Sequence, residues 1–414
     1  KTVSKLLKLN SPFKLIIQKN FFLVWSSGFL IGTTRWLDML AVSLFVFDLT
    51  GSAFFVAVMM FLRMLPLLIF GAFAGSLAEV FDRKIILIFG LIVMAITYLS
   101  LAFLTWKGEL ELWHLMMGVF LGGVFWTFEM PIRRTMIAEL AELDNVAVSM
   151  GLDTATNNFT RMLGPLTGGF LYEISSLHGT MLLGAILYLF VIIMLALVKY
   201  RNVTGHQMGS IFVNLSESAR YIRSNKQILA ILIITIAFNI FGFSCVSMIP
   251  VIAKEVLNLS ALPIGILLSG EGIGAFFGSL LVAFLVRKER FNQIYFFGAL
   301  TYILCVGIFS LSQNFWLSFL MMWLGGFGIA GFSAMQSALI LAHAPPQMRS
   351  RMMGILTMCI GSSPIGVILV GILVNYTTAA TGVFIMATLG AIFTGLTAFF
   401  WPNLLKTAND PSHL

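Results

Sequence analysis

Nine polar or ionisable side chains interrupt long apolar stretches of this 414-residue sequence, and their types and spacing could support chemistry. They are Arg35, Asp38, Arg63, Glu129, Arg133, Asp153, Asn157, Arg161 and Glu271. An ionisable group inside an apolar segment is costly to bury and is usually kept for function. A spacing of three or four residues, as between Arg35 and Asp38, places neighbours on one face of a helix.

The carboxylates in these apolar segments are candidates for reversible proton binding, and so for proton coupling, because desolvation favours the neutral form of a carboxyl group. Asp38 and Glu271 are the first candidates, and Glu129 is the third. The arginine three residues before Asp38 opposes protonation there, so Glu271 is the better proton carrier.

The predicted solute-binding side chains are cationic, amide or aromatic groups in the same spans. They are Arg35, Arg63, Arg161, Asn157, Trp36 and Trp126. The three arginines fall near mid-membrane, against only two nearby carboxylates, Asp38 and Glu271. This surplus of positive charge predicts a chamber for an anionic or zwitterionic solute. The alternative is internal pairing, such as Arg35 with Asp38, without any contact to solute.

Composition defines the elements that must position these groups. The chain is 59% hydrophobic and 10% charged, with mean hydropathy +0.98, whereas soluble domains are about 25% charged. Because a spanning helix needs about 20 apolar residues and barrel strands would alternate, we expect an all-α polytopic membrane protein. Its twelve predicted spans are 20–48, 53–80, 85–106, 112–135, 149–173, 180–199, 227–252, 261–286, 292–312, 315–341, 350–376 and 380–402.

Basic residues orient the spans, because they gather on the cytoplasmic side. With the N-terminus inside, twenty of the 25 Lys and Arg residues fall in cytoplasmic segments. Both termini are therefore predicted to be cytoplasmic. The same distribution explains the net charge of +8, so no nucleic-acid partner is needed.

An internal repeat divides the sequence into two similar halves. GAFAGSL at 71–77 returns as GAFFGSL at 274–280, and MGLDTAT at 150–156 returns as MGILTMC at 353–359, both 203 positions later. Two parallel six-helix repeats are typical of transporters with a midplane site. The predicted domains are an N-terminal bundle, a cytoplasmic linker with an amphipathic helix, a C-terminal bundle and a cytoplasmic tail, at 1–199, 200–226, 227–402 and 403–414.

The motif GSLAEVFDRK at 75–84 resembles the loop signature of the major facilitator superfamily, although Val80 and Asp82 depart from its usual residues. The stretches beginning at Pro131 and Met335 resemble the enterobactin-exporter branch, to which lysophospholipid transporters are also similar. The resemblance covers essentially the whole chain and implies the major facilitator fold.

The resemblance also implies gating residues. In the superfamily the acidic position of the loop, here Glu79, braces the eleventh helix and an arginine of the fourth helix. The predicted latch comprises Glu79, Asp82, Arg133 and Arg134, and Arg83 and Asp153 are further predicted gating residues. The alternative is a solvated loop that only sets topology.

A second gating motif, GPLTGG at 164–169, resembles an antiporter signature. Gly164, Pro165 and Gly168 are its predicted gating residues. The alternative is a packing kink without directional meaning, and GSSPIG at 361–366 predicts a matching bend in the second half.

Together these features predict a secondary active transporter working by alternating access, as a monomer among the lipids of a bacterial inner (plasma) membrane. The expected activity is proton-coupled export of a small amphipathic anionic or zwitterionic solute, siderophore or drug-like. Alternatives are a lysophospholipid flippase, an importer of an iron–siderophore complex or organic anion, a sensor, or a membrane enzyme. The sequence holds no nucleophile–base constellation, no GxxxxGK[ST] loop and no CxxC spacing, so no catalytic residue, cofactor or metal is predicted.

Overall fold

The computed structural model describes residues 12–80, 82–141, 145–200, 220–285, 288–345 and 348–405. Within these ranges, the side chains at 12–14, 72–80, 147, 283–285, 288, 349–351 and 403 lie outside the description. The described elements are all helical. Helices satisfy every backbone hydrogen bond within one segment, as a chain in lipid requires.

The first half begins with a short helix, Pro12–Ile17, followed by α1 (Lys19–Thr50), α2 (Ala53–Val80), α3 (Arg83–Lys107) and α4 (Leu112–Leu140). One long helix, Val146–Ala196, completes this half. Its backbone leaves helical geometry at Ser176, with φ 54° and ψ −156°. The parts before and after that kink are α5 and α6.

The second half contains α7 (Lys226–Glu255), α8 (Ala261–Leu285), α9 (Phe291–Leu311), α10 (Phe315–His343) and α12 (Ala379–Phe400). Between the last two lies α11, made of the helices Arg349–Ile360 and Ser363–Tyr376. A π-helical turn, Phe238–Gly242, and a 3-10 turn, Phe243–Met248, lie within α7.

In the described part of the chain, eleven helices are long and apolar enough to cross a membrane. The one that bends at Ser176 accounts for two predicted spans, so the twelve-helix all-α fold is confirmed. The bend predicted in the second half at GSSPIG is present as the break between the two parts of α11. In the first half, by contrast, the helix continues through Pro165 and is interrupted at Ser176.

Small residues set the closest helix contacts. A Cβ added to Gly274 would lie 2.0 Å from the Trp323 carbonyl oxygen, so the second copy of the repeated motif brings α8 directly against α10. The halves meet along α5 and α8, where a Cβ on Gly265 would lie 2.4 Å from the Pro165 carbonyl oxygen. Such small residues let helix backbones approach closely in lipid.

Most of the predicted linker, residues 201–219, lies outside the described residues, so its amphipathic helix stays a prediction, as do the domain boundaries. We refer below to residues 12–200 as the first half and to residues 220–405 as the second half.

Candidate functional site

A chain of ion pairs fills the core of the first half. Arg35 Nη2 of α1 lies 2.6 Å from Glu129 Oε2 of α4, and Glu129 Oε1 lies 2.5 Å from Arg133 Nε. Arg133 continues to Asp153 of α5, which also accepts a hydrogen bond from Arg134 Nε at 3.0 Å. Three helices are thereby joined through alternating charges.

A second buried pair joins α1 to α2. Arg63 Nη1 lies 2.7 Å from Asp38 Oδ2, and both side chains are about 95% buried. Neither residue lines the cavity described below. The pair therefore contributes to the core of the first half.

A third pair crosses between the halves. Arg161 of α5 donates a hydrogen bond to Glu271 Oε1 of α8, and both side chains are largely buried. The Arg161 guanidinium lies 5.0 Å from the ring centre of Trp36 and 5.7 Å from that of Phe243, so cation–π contacts also hold it.

This third pair lines a cavity between the two halves. The lining residues come from both halves: Trp36, Met39, Leu40, Ser43, Met60, Arg161, Pro165, Val246, Ser247, Pro250, Leu268 and Glu271. Its charged members are Arg161 and Glu271. The indole N–H of Trp36 is buried and has no acceptor among the described residues.

The predicted surplus of positive charge in the chamber needs correction. Each of the three midplane arginines has a carboxylate partner within 2.7 Å or less. The sequence count set them against two carboxylates and left out Glu129, which sits opposite Arg35. The suggested pairing of Arg35 with Asp38 is also wrong. Helix packing places Glu129 next to Arg35 and Arg63 next to Asp38.

The predicted solute-binding residues fall into two groups. Arg161 and Trp36 line the cavity, whereas Arg35, Arg63, Trp126 and Asn157 are not among its lining residues. Trp126 instead lies under the Arg35 guanidinium, at 4.6 Å. Asn158, the neighbour of Asn157, instead forms a contact between the halves, in which its Nδ2 donates to Ser279 Oγ at 2.8 Å. The sequence did not indicate this contact.

The predicted latch residues contact several different groups in the structure. The Glu79 side chain lies outside the description, so its role stays a prediction. Asp82 caps α3 by accepting from the backbone N–H groups of Lys84 and Ile85 at 2.9 and 3.2 Å. Arg83 contacts Glu139 Oε1 at 2.6 Å and Tyr200 Oη at 2.8 Å. Burial, with the adjacent Glu139, raises the pKa of Tyr200 to about 12, so its phenol stays protonated and donates to that carboxylate.

The glycines of GPLTGG hold α5 against two neighbours. Added Cβ atoms at Gly164 and Gly168 would lie 2.3 Å from Trp36 Cβ and 2.6 Å from the Leu37 carbonyl oxygen of α1. The next residue, Gly169, faces the Ala261 carbonyl oxygen of α8 at 2.5 Å. Sequence reasoning missed Gly169 because a glycine pattern does not say which helix it faces.

Polar contacts cluster where α1 meets α2, the predicted external end, and all but the Tyr172–Asp48 hydrogen bond within the first half join the two halves. Lys254 pairs with Asp48, and Tyr172 Oη donates to Asp48 Oδ2 at 2.9 Å. Glu173 Oε2 accepts from Ser260 Oγ at 3.1 Å and from Leu262 N at 2.7 Å. We call these contacts the outer bridge. No sequence motif predicted these contacts, because each joins residues that are far apart in the sequence.

A bundle of this form with a cavity between two halves defines a membrane transporter, and comparisons with known proteins agree. The profile of the family described as transmembrane secretion effector matches residues 10–411. The chain belongs to this family of the major facilitator superfamily, as the loop motif predicted.

Relatives and solved structures show the same class. The chain is 22% identical to the staphyloferrin A transporter of Staphylococcus aureus, over 67% of this chain and 70% of the relative. It is 20% identical to macrolide efflux protein A of Streptococcus pyogenes, over 65% and 67% of the two chains. A nucleoside transporter structure superposes with a TM-score of 0.74, covering 93% of this chain and all of that one at 14% identity.

Proposed function

We propose that this transporter exports a small amphipathic anionic or zwitterionic solute in exchange for protons, by alternating access across a bacterial inner membrane with both termini in the cytoplasm. One observation carries the proposal: the Arg161–Glu271 pair joins the two halves and lines the cavity between them. Binding of solute or of a proton at this pair would therefore weaken a contact that holds the two halves together.

Proton coupling follows from the surroundings of the pair. Glu271 is 3% exposed and faces a cavity with mostly apolar lining. Arg161 stabilises its charge, and a proton or a cationic group can take the place of that arginine. Glu271 is thus the proton carrier of the proposal, and Arg161 attracts the solute.

Asp38 and Glu129 have a different environment. Each is paired inside the first half, away from the lining of the cavity. We assign them a structural part in that core, with Arg35, Arg63 and Arg133.

The conformation supports alternating access. The outer bridge closes the predicted external end of the bundle. Near the opposite end of α5, Gly151 is exposed, and a Cβ there would meet no atom of the described residues within 4 Å. A closed external end is one of the two states that alternating access requires.

Import of an organic anion is the second candidate function. The Arg161–Glu271 pair favours it if the anion binds Arg161 and a proton binds Glu271. An anion that binds Arg161 releases Glu271, and a buried carboxylate without its partner takes up a proton. Anion and proton would then move together, which drives import when the outside is acidic.

Proton-loaded vesicles test the proposal. Staphyloferrin A and a macrolide, the solutes named for two relatives, serve as probes together with an aromatic amino acid. In inverted vesicles carrying the wild-type protein, at least one probe should dissipate an imposed pH gradient. Glu271→Gln should abolish this response but keep solute counterflow.

Glu109→Gln is the matched control, because it makes the same chemical change at an exposed residue. It should respond like wild type. A Glu271→Gln protein that still dissipates the gradient would contradict the proton assignment, and dissipation only when solute and proton move in the same direction would favour the importer.

A further inference from the structure

We infer that the transported solute is a zwitterion, whose carboxylate is bound by Arg161 and the indole N–H of Trp36 and whose ammonium group is bound by Glu271. The inference rests on the proposed function, because it names the chemical class carried at the same site. Three features of the cavity support it.

The first feature is charge balance. The charged residues lining the cavity are one cation and one anion, already paired with each other, with side chains 14% and 4% exposed. An anionic solute on Arg161 would leave Glu271 unpaired, and a cationic solute on Glu271 would leave Arg161 unpaired. Either case buries an uncompensated charge, which is strongly unfavourable. A zwitterion replaces the internal pair with two new pairs and leaves no charge over.

The second feature is an unused hydrogen-bond donor beside Arg161. Trp36 is 91% buried, lines the cavity, and has an indole N–H without an acceptor among the described residues. Leaving a buried donor of this kind unpaired is unfavourable. Because the Arg161 guanidinium lies 5.0 Å from the Trp36 ring centre, one solute carboxylate can accept from both residues.

The third feature is the remaining lining, which is mainly apolar. Its side chains include those of Met39, Leu40, Met60, Val246 and Leu268. This wall suits the hydrophobic body of the solute, and the flexible methionines accommodate bodies of different shape. The solute class is therefore a zwitterionic head group on an apolar body.

The direction of transport follows from the same geometry. Among the described residues, Glu271 is paired with Arg161 of α5 and interacts electrostatically with the Tyr302 hydroxyl of α9. The α10 surface packed on α8 presents uncharged residues, such as Trp323 and Gly326. A solute ammonium and a proton thus compete for one carboxylate, and competition of this kind produces antiport.

Three probes with one apolar body separate the possibilities: biphenylalanine, its N-acetyl derivative and its methyl ester, which are a zwitterion, an anion and a cation. Calorimetry of the purified protein in two buffers of different ionisation enthalpy gives both affinity and the number of protons taken up. At near-neutral pH the zwitterion should bind at least about thirtyfold more tightly than either derivative, because each derivative leaves a buried charge without a partner. It should bind without proton uptake, whereas the N-acetyl anion should take up close to one proton.

Three variants assign the contacts. Glu271→Gln should remove the preference for the zwitterion over the N-acetyl anion. Trp36→Phe keeps an aromatic ring at this position and removes the N–H, so it should weaken binding of the zwitterion and the anion a few-fold relative to binding of the ester. Glu109→Gln, which lies on the surface, should match wild type.

The outcomes separate the two proposals. Absence of zwitterion binding, or tighter binding of the N-acetyl anion, overturns the zwitterion inference. If that anion binds with proton uptake, coupling through Glu271 still stands. A zwitterion preference that is identical in wild type and Glu271→Gln also overturns the inference. Zwitterion preference together with unchanged vesicle pH gradients would instead overturn the proton-coupled function.

Discussion

The two halves of the molecule solve the same packing problem with different chemistry. In the first half Arg35 and Glu129 form an ion pair at 2.6 Å between α1 and α4. The residues 203 positions later are Phe238 and Phe332, which stack between α7 and α10 with ring centres 4.0 Å apart. The repeat found in the sequence thus carries over into contacts, while the contact itself changes from ionic to aromatic.

The next equivalent position continues the comparison. Arg133 joins Glu129 and Asp153 by charge, whereas its counterpart Gln336 donates a neutral hydrogen bond to Thr235 Oγ1 at 3.0 Å. In the second half Glu271 is the single carboxylate within α8 to α12. Its partner Arg161 lies across the boundary, so this buried ion pair between the halves is separate from the ionic core of the first half.

Breaking the ionic core should produce the largest effect. Glu129→Gln leaves Arg35 and Arg133 buried with less compensation, and should lower the free energy of unfolding by about 3–5 kcal/mol. The double variant Arg35→Phe/Glu129→Phe copies the aromatic pair of the second half and should recover most of that loss, because a buried ion pair can often be replaced by packed apolar groups. Denaturation in mixed micelles measures both. A double variant no more stable than Glu129→Gln would show that the halves are not interchangeable at this position.

Substitution in the Asp38–Arg63 pair should change the stability of the protein without changing the coupling of transport to protons. Asp38→Asn keeps an oxygen to accept from Arg63 and should cost about 1–3 kcal/mol of stability. The number of protons moved per solute should not change, since Asp38 does not line the cavity. Measurement of solute flux against vesicle pH tests this, and loss of coupling in Asp38→Asn would move the proton site into the first half.

Overpacking the boundary between the halves should have a comparable or smaller effect. A Cβ on Gly272 would lie 2.5 Å from Met162 N, so Gly272→Ala should cost about 1–3 kcal/mol and reduce transport. Gly395→Ala is the matched control, because a Cβ there would meet no atom of the described residues within 4 Å. Equal melting temperatures and equal transport in the two variants would refute close packing of α5 against α8.

The outer bridge should give the smallest change in stability. Lys254 and Asp48 are 33% and 41% exposed, so Lys254→Ala should cost less than about 1 kcal/mol. Its effect should appear in conformation instead: a cysteine placed at Ser43 in the cavity should react faster with an impermeant external reagent. An unchanged rate would mean that this contact does not hold the external end closed.

The sequence was sufficient for the fold but not for the partners of the charges. Twelve apolar runs and the repeated GAFAGSL motif predicted the helices and the two halves, because both are local or periodic signals. The partner of Arg35 was not predictable in this way. Asp38 is three residues away, and Glu129, 94 positions distant, is the actual partner. Helix rotation and packing decide such contacts, and the spacing of residues in the sequence predicts neither.

The cavity shows the same division. Arg161, Trp36, Pro165 and Glu271 were predicted site residues and all line it. Ion-pair partners such as Arg63 could not be separated from them, because a buried arginine in a core and one in a cavity have the same sequence pattern. The outer bridge joins residues up to 206 positions apart and had no local signal.

The most direct test of the central claim is infrared difference spectroscopy of the protonated carboxyl band during acidification of the purified protein. We expect a band that is lost in Glu271→Gln, is kept in Asp38→Asn, and is suppressed when biphenylalanine is bound. A band that persists in Glu271→Gln and disappears in Asp38→Asn would contradict the claim that the exchangeable ionic contact is the one between the halves.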